Sequence, residues 1–162
     1  TKNLTIITYA MTRIDNSVWM DAIRTKQEKK NVITAVPFLH VNDIDKSIDF
    51  YRRMLGFIVF ETWQPNGKTE WCHLKKDGGE LMLQQFKPYH SLNTKKSLSV
   101  YFSCVDALGI YREIGTKKSN FSEPVVSNGK WVTRVFDPDG YEINFESLTN
   151  LPEGTRLSQW NN

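Results

Sequence analysis

The chain alternates between two hydrophobic rhythms, and their order is repeated. An extended, mostly apolar run, Val32–Val41, gives way to apolar residues at Ile44, Ile48, Tyr51 and Leu55, spaced four and three apart. The first rhythm suits a strand, and the second lays a stripe along one face of a helix. Asn42 or Asp43 supplies the helix N-cap, and Gly56 the C-terminal cap. Pro37 lacks an N–H, so the first strand is expected at an edge or interrupted. Phe57–Trp63, Thr69–Lys75 and Glu80–Phe86 then read as three strands, joined by turns at Gln64-Pro-Asn-Gly67 and Asp77-Gly-Gly79. The second half follows the same order. Leu98–Val105 predicts a strand, Asp106–Ile114 a helix closed by Gly115, and strands follow near Phe121–Val126, Lys130–Phe136 and Tyr141–Ser147.

The echo extends to single positions. Ile48, Phe50, Tyr51 and Arg52 answer Leu108, Ile110, Tyr111 and Arg112, about sixty residues later. A motif used twice at that separation implies a duplicated β-α-β-β-β module with a pseudo-symmetric cleft between the copies. The expected organisation is an amino-terminal arm over 1–31 and one domain over 32–147, with a tail over 148–162. The domain comprises module one (32–86), a polar linker (87–97) and module two (98–147). Within the arm, 16–29 has the pattern of a helix. Trp160 is the tail's candidate anchor.

Composition narrows the function without naming it. A chain of 162 residues with 40% hydrophobic and 24% charged content is ordinary for a globular protein. The net charge of +3 comes from scattered lysine pairs such as Lys75-Lys76 and Lys117-Lys118, so a nucleic-acid partner is not expected. No apolar run reaches the roughly 18 residues of a membrane span. Leu4–Ala10 lacks a clear cleavage site, and cytoplasm is the expected compartment. Cys72 and Cys104 lie inside apolar runs rather than in a paired motif, as buried reduced thiols do.

Three segments give the chain a family resemblance. Val41-Asn-Asp-Ile-Asp-Lys-Ser-Ile-Asp-Phe-Tyr-Arg-Arg-Met-Leu-Gly-Phe57, Gly79-Glu-Leu-Met-Leu-Gln84 and Phe136-Asp-Pro-Asp-Gly-Tyr-Glu-Ile143 resemble the vicinal oxygen chelate superfamily over about residues 33–147. That superfamily holds glyoxalase I, extradiol dioxygenases and bleomycin-resistance proteins. The resemblance implies an α+β fold of two βαβββ modules, curled into a half-open eight-stranded barrel around a cleft and completed in a homodimer. Glyoxalase-like members bind a divalent metal through four cleft-facing side chains. Aligned on the motifs, those positions are Val36, Met82, Val100 and Asn144. Three are apolar and the fourth is an amide, a poor sole ligand for Zn²⁺ or Ni²⁺. The neighbouring positions, Pro37, Leu83, Tyr101 and Ile143, offer no strong ligand either. No metal and no other cofactor is therefore expected.

Alternation names the cleft face. Val36, Phe38 and His40 share a face of the first strand, and Val100, Phe102 and Cys104 one of the fifth. Trp71 and His73 share one on the third, Met82 and Gln84 one on the fourth. On the last strand Glu142, Asn144 and Glu146 would look into the cleft, with Ile143 and Phe145 beneath a helix. An aromatic wall with a few polar groups suits a small-molecule pocket, although such aromatics serve equally well as barrel core. His40 is the candidate catalytic residue, as a base or as part of a displaced metal site with Glu142 or Glu146; a histidine hydrogen-bonded at a strand end is the plainer reading. His73 is expected near the rim, and His90 exposed in the linker.

Two functions lead, with a structural or regulatory partner-binding module that uses the amino-terminal arm as a third. One is a metal-free protein that binds or sequesters an aromatic or amphipathic small molecule, in the manner of bleomycin-resistance proteins. The other is an enzyme, a metal-dependent lyase, isomerase or dioxygenase using His40. Bleomycin itself is cationic and would favour an acidic protein, although Glu142 and Glu146 could make the cleft locally negative.

Overall fold

The computed structural model describes residues 32–86, 97–115 and 121–160. The chain divides between Ala35 and Val36, and the fold belongs to the unit that starts at Val36. Residues 32–35 are exposed and without regular structure. The helix expected over 16–29, the run Leu4–Ala10, residues 87–96 of the linker (with His90) and Lys117-Lys118 lie outside the described residues.

The first module runs β1 (Phe38–Val41), α1 (Ile44–Arg53), β2 (Ile58–Trp63), β3 (Trp71–Lys76) and β4 (Gly79–Gln85). The second runs β5 (Ser99–Ser103), α2 (Ala107–Gly115), β6 (Val125–Ser127), β7 (Lys130–Phe136) and β8 (Glu142–Leu148). Each builds a four-stranded sheet, ordered β1-β4-β3-β2 in one and β5-β8-β7-β6 in the other. In both, the first strand pairs in parallel with the last and the remaining pairings are antiparallel. The fold is thus α+β, two βαβββ modules whose sheets do not close into one barrel.

Two prolines shorten the expected strands. Regular pairing of β1 begins only after Pro37, whose carbonyl still accepts from Met82 N–H at 2.8 Å. The strand expected over 121–126 is a single bridge, Phe121 to Val135, followed after Pro124 by β6. In each case the missing proline N–H removes a rung of the ladder.

The sequence explains how α1 starts and stops. Asp43 is the N-cap, its carboxylate accepting from Lys46 N–H at 3.1 Å. Beyond the last turn, Phe57 N–H reaches Tyr51 C=O at 2.9 Å across Gly56, whose φ of 74° is left-handed. Ile44, Tyr51 and Leu55 bury the expected stripe, and Ser47 joins them. They pack on Leu39, Val41, Leu74, Leu81 and Leu83 from the first sheet. The same core takes in Val100, Ile114, Val135, Ile143 and Phe145, so one hydrophobic cluster holds both modules together.

The Asp-Pro-Asp-Gly-Tyr turn fastens the modules to each other. Asp137 accepts from the N–H groups of Asp139 (2.9 Å) and Tyr141 (2.8 Å), which fixes the turn. It also accepts from the Tyr51 hydroxyl of α1 at 3.1 Å. Asp139 accepts from Asn42 N–H at 2.9 Å, and the Tyr141 hydroxyl donates to His40 C=O at 3.0 Å. The motif is therefore structural. The carboxy-terminal tail covers the outer edge of β6, with Val126 N–H donating to Thr155 C=O at 2.8 Å, and Trp160 lies against Trp131 with ring centroids 5.7 Å apart.

Candidate functional site

Each sheet packs one face on the shared core and leaves the other free of any covering layer among the described residues. Register makes the free face of the first sheet explicit. Phe38, Met82, His73 and Glu61 form one row across β1, β4, β3 and β2; His40, Gln84, Trp71 and Trp63 form the next. The six residues of this sheet expected to line a cleft thus sit side by side. Glu61 and Trp63 extend the rows and escaped the sequence reading, although Trp63 faces Trp71 across the β2–β3 hairpin. The register shift between Val59 and Glu61 leaves Phe60 over the same face, its ring 5.5 Å from that of His73.

His40 and His73 differ in their surroundings. The His40 ring lies between Phe38 and Phe86, with centroids 5.3 and 5.2 Å away, and makes no hydrogen bond among the described residues. His73 instead has a carboxylate partner, its Nε2 lying 2.8 Å from Glu80 Oε2. Lys75 approaches the other Glu80 oxygen at 3.4 Å and sits 3.7 Å above the Phe60 ring. The imidazole oriented by an acid is His73 rather than His40.

The second sheet corrects one expectation. β5 pairs with β8 so that Val100 lies opposite Ile143 and Phe102 opposite Phe145. Partners across a ladder share a face, and Ile143 and Phe145 are buried in the core. Val100 and Phe102 are therefore core-facing; Phe102 stacks on Phe145 with centroids 5.5 Å apart and meets Phe57 at a tilt, 5.6 Å away. The free face of β5 carries Ser99, Tyr101 and Ser103 instead, with Tyr101 beside Asn144. Phe102 does reach a hollow of about 640 Å³ at the open edge of β5, shared with Phe57, Tyr101, Ile110 and Phe145.

Glu142, Asn144 and Glu146 share the free face of β8, each in a defined network. Asn144 is fully buried; its Nδ2 donates to Glu142 Oε1 at 2.9 Å, and its Oδ1 accepts from Arg134 Nε at 3.2 Å. Arg134 Nε also lies 3.1 Å from Glu142 Oε1. Glu146 accepts from Lys130 Nζ and, at 3.1 Å, from the Ser103 hydroxyl. The Lys130 ammonium beside it holds the Glu146 carboxyl below the usual carboxylate range. Both glutamates are thus neutralised in place. Arg134 and Lys130, the residues responsible, were missed because β7 reads from sequence as an ordinary amphipathic strand.

This arrangement does not fit the family's metal. Val100 faces the core, Met82 offers only a thioether, and both ends of the Asn144 amide are engaged. The displaced site built on His40 with Glu142 or Glu146 is not assembled either: His40 is on the other sheet, and both acids carry cationic partners. Among the described residues no group of three or more His, Cys, Asp and Glu is gathered to hold an ion. The thiols are poor nucleophiles. Burial pushes Cys72 up to about 11 and raises Cys104 too, and both are free. No helix of the described residues is long and apolar enough to cross a membrane.

Paired βαβββ modules with uncovered, side-chain-lined sheet faces define a glyoxalase-type fold. The model of the Glyoxalase/Bleomycin resistance protein/Dioxygenase superfamily matches residues 33–145, and the chain belongs to that superfamily. Among solved structures, the bleomycin resistance determinant encoded on transposon Tn5 is 20% identical with a TM-score of 0.60, covering 74% of this chain and all of that one. TnmS3, an antibiotic binding protein from Streptomyces sp. CB03234, is 20% identical at a TM-score of 0.57 (73% of this chain, 98% of that one). Lactoylglutathione lyase from Agrobacterium tumefaciens is 14% identical at 0.54 (73% and 96%). At these identities the likeness is one of fold, and it spans a resistance determinant, an antibiotic binding protein and a lyase alike. No curated relative matches the sequence.

Proposed function

We propose that this protein is a metal-independent binding protein, taking up an aromatic or amphipathic small molecule in a cleft formed by the free sheet faces of a homodimer. The observation that carries the reading is the pair of rows Phe38-Met82-His73-Glu61 and His40-Gln84-Trp71-Trp63, a flat aromatic surface with polar groups at intervals. Planar ligands gain from offset stacking on such rings, and the interspersed polar groups fix orientation. The likeness to the bleomycin resistance determinant and to TnmS3 supports the same reading.

Bleomycin is a poor candidate ligand. A cationic drug needs unpaired negative charge; Glu142 and Glu146 are already bound to Arg134 and Lys130 and Glu80 to Lys75, which leaves Glu61 as the one carboxylate of the two rows without a cationic partner among the described residues. Tryptophan fluorescence tests the proposal, because Trp63 and Trp71 would lie against the ligand. Screening planar aromatic compounds should yield saturable quenching that Trp71→Ala weakens at least several-fold, with metal-stripped protein binding as well as untreated protein. Quenching that needs a divalent ion, or that survives Trp71→Ala unchanged, would sink this reading.

A further inference from the structure

Arg134 is only half used. Both of its polar contacts run through Nε, to Asn144 Oδ1 and to Glu142 Oε1. Its two Nη groups donate to nothing among the described residues, and the side chain is 43% exposed. Lys130 offers a contrast, for its single ammonium is committed to Glu146.

The Nε edge is held firmly. Asn144 is fully buried, and its amide can point only one way. Turning it over would set its NH₂ against the guanidinium and its oxygen against the Glu142 carboxylate. Asn144 and Glu142 therefore clamp the inner edge of the guanidinium while its outer end stays open. A planar fork anchored in this way has lost little further freedom when it captures an acceptor, and two parallel N–H donors match a carboxylate, sulfonate or phosphate bidentately. Tyr101 stands in the same row, on the far side of Asn144, and is 55% exposed.

We infer that the outer fork of Arg134 is an oxyanion receptor, so that the ligand is an aromatic molecule bearing a carboxylate, sulfonate or phosphate group. The inference rests on the cleft reading above and adds the charge of what enters.

A matched pair of fluorescent probes separates the two claims. The anion 1-anilinonaphthalene-8-sulfonate and the neutral N-phenyl-1-naphthylamine share their rings and differ by the sulfonate. Wild type should bind both. R134Q should weaken the anionic probe roughly tenfold or more, as expected for loss of a bidentate charge-assisted contact, and the neutral one less than about twofold. R134K, which keeps the charge without the fork, should fall between. R112Q, which removes the same charge from an exposed position on α2, should bind like wild type. Equal effects of R134Q on both probes, or none on the anion, would overturn the inference and leave the cleft standing. If neither probe binds, the cleft reading falls, and inorganic phosphate decides the rest. Phosphate should then raise the melting temperature of wild type and not of R134Q, and equal shifts would overturn the Arg134 receptor.

Discussion

Tyr51 and Asp137 meet at the junction of the modules, where a buried hydroxyl donates to a buried carboxylate. Burial raises the Asp137 carboxyl above its ordinary value, against three hydrogen bonds that lower it, that of Tyr51 among them. Burial, and then the Asp137 charge, raise the Tyr51 phenol. Because the folded value of Asp137 lies above the unfolded one, its favourable contribution is complete below the unfolded value and fades as pH rises through the folded one. Tyr51→Phe removes one of the bonds that offset the cost of ionisation. The variant should therefore lose about 1–3 kcal/mol at neutral pH, and less near pH 3, below the ordinary carboxylate value, where the raised Asp137 carboxyl keeps its proton. Urea midpoints at the two pH values check this; an equal loss at both would show that the hydroxyl matters for packing alone.

Among the elements, the tail shows what a short segment anchored by one aromatic residue contributes to an edge. β6 has only three residues, and its outer side would be bare without the hydrogen bonds of Val126 to Gly154 and Thr155. Trp160, half-buried against Trp131, pins that strap. Trp160→Ala should cost about 2 kcal/mol, under the 3–5 typical of a fully buried Trp. It should also speed hydrogen exchange at Val126 N–H before the rest of the sheet opens. Element order was legible in the sequence because the two rhythms repeat, although Gly115 falls inside α2 rather than capping it in the left-handed conformation of Gly56. The face of β5 was not. Val100 and Phe102 on one side and Tyr101 on the other are all apolar or aromatic, so alternation could not say which side meets the core. Only pairing with Ile143 and Phe145 does. The free-face residues of the first sheet were readable because Leu39, Cys72, Leu81 and Leu83, all buried, alternate with them. Lys130, Arg134 and Glu80 were not, since their role comes from partners across the ladder.

For the molecule as a whole, the free faces present a problem that a second copy would solve. Phe38, Phe60 and Trp63 are 44%, 58% and 55% exposed on the first sheet, and Tyr101 is 55% exposed on the second. Sheets ordinarily bury an apolar face against another layer, and contiguous exposed aromatics mark a surface that meets a partner or a ligand. A two-fold dimer would satisfy both modules at once, because the duplicated sheets already relate similar surfaces. The chain should therefore sediment as a dimer at micromolar concentration, and Phe38→Glu combined with Tyr101→Glu should drive it to monomer while circular dichroism stays native. Both substitutions place charge on faces that no further layer covers among the described residues, so loss of the dimer with native circular dichroism would not reflect loss of the fold. If the cleft is shared between copies, the monomeric variant should also lose the aromatic probes. A native wild-type monomer that still binds them would assign the cleft to a single chain, with the exposed rings as its walls.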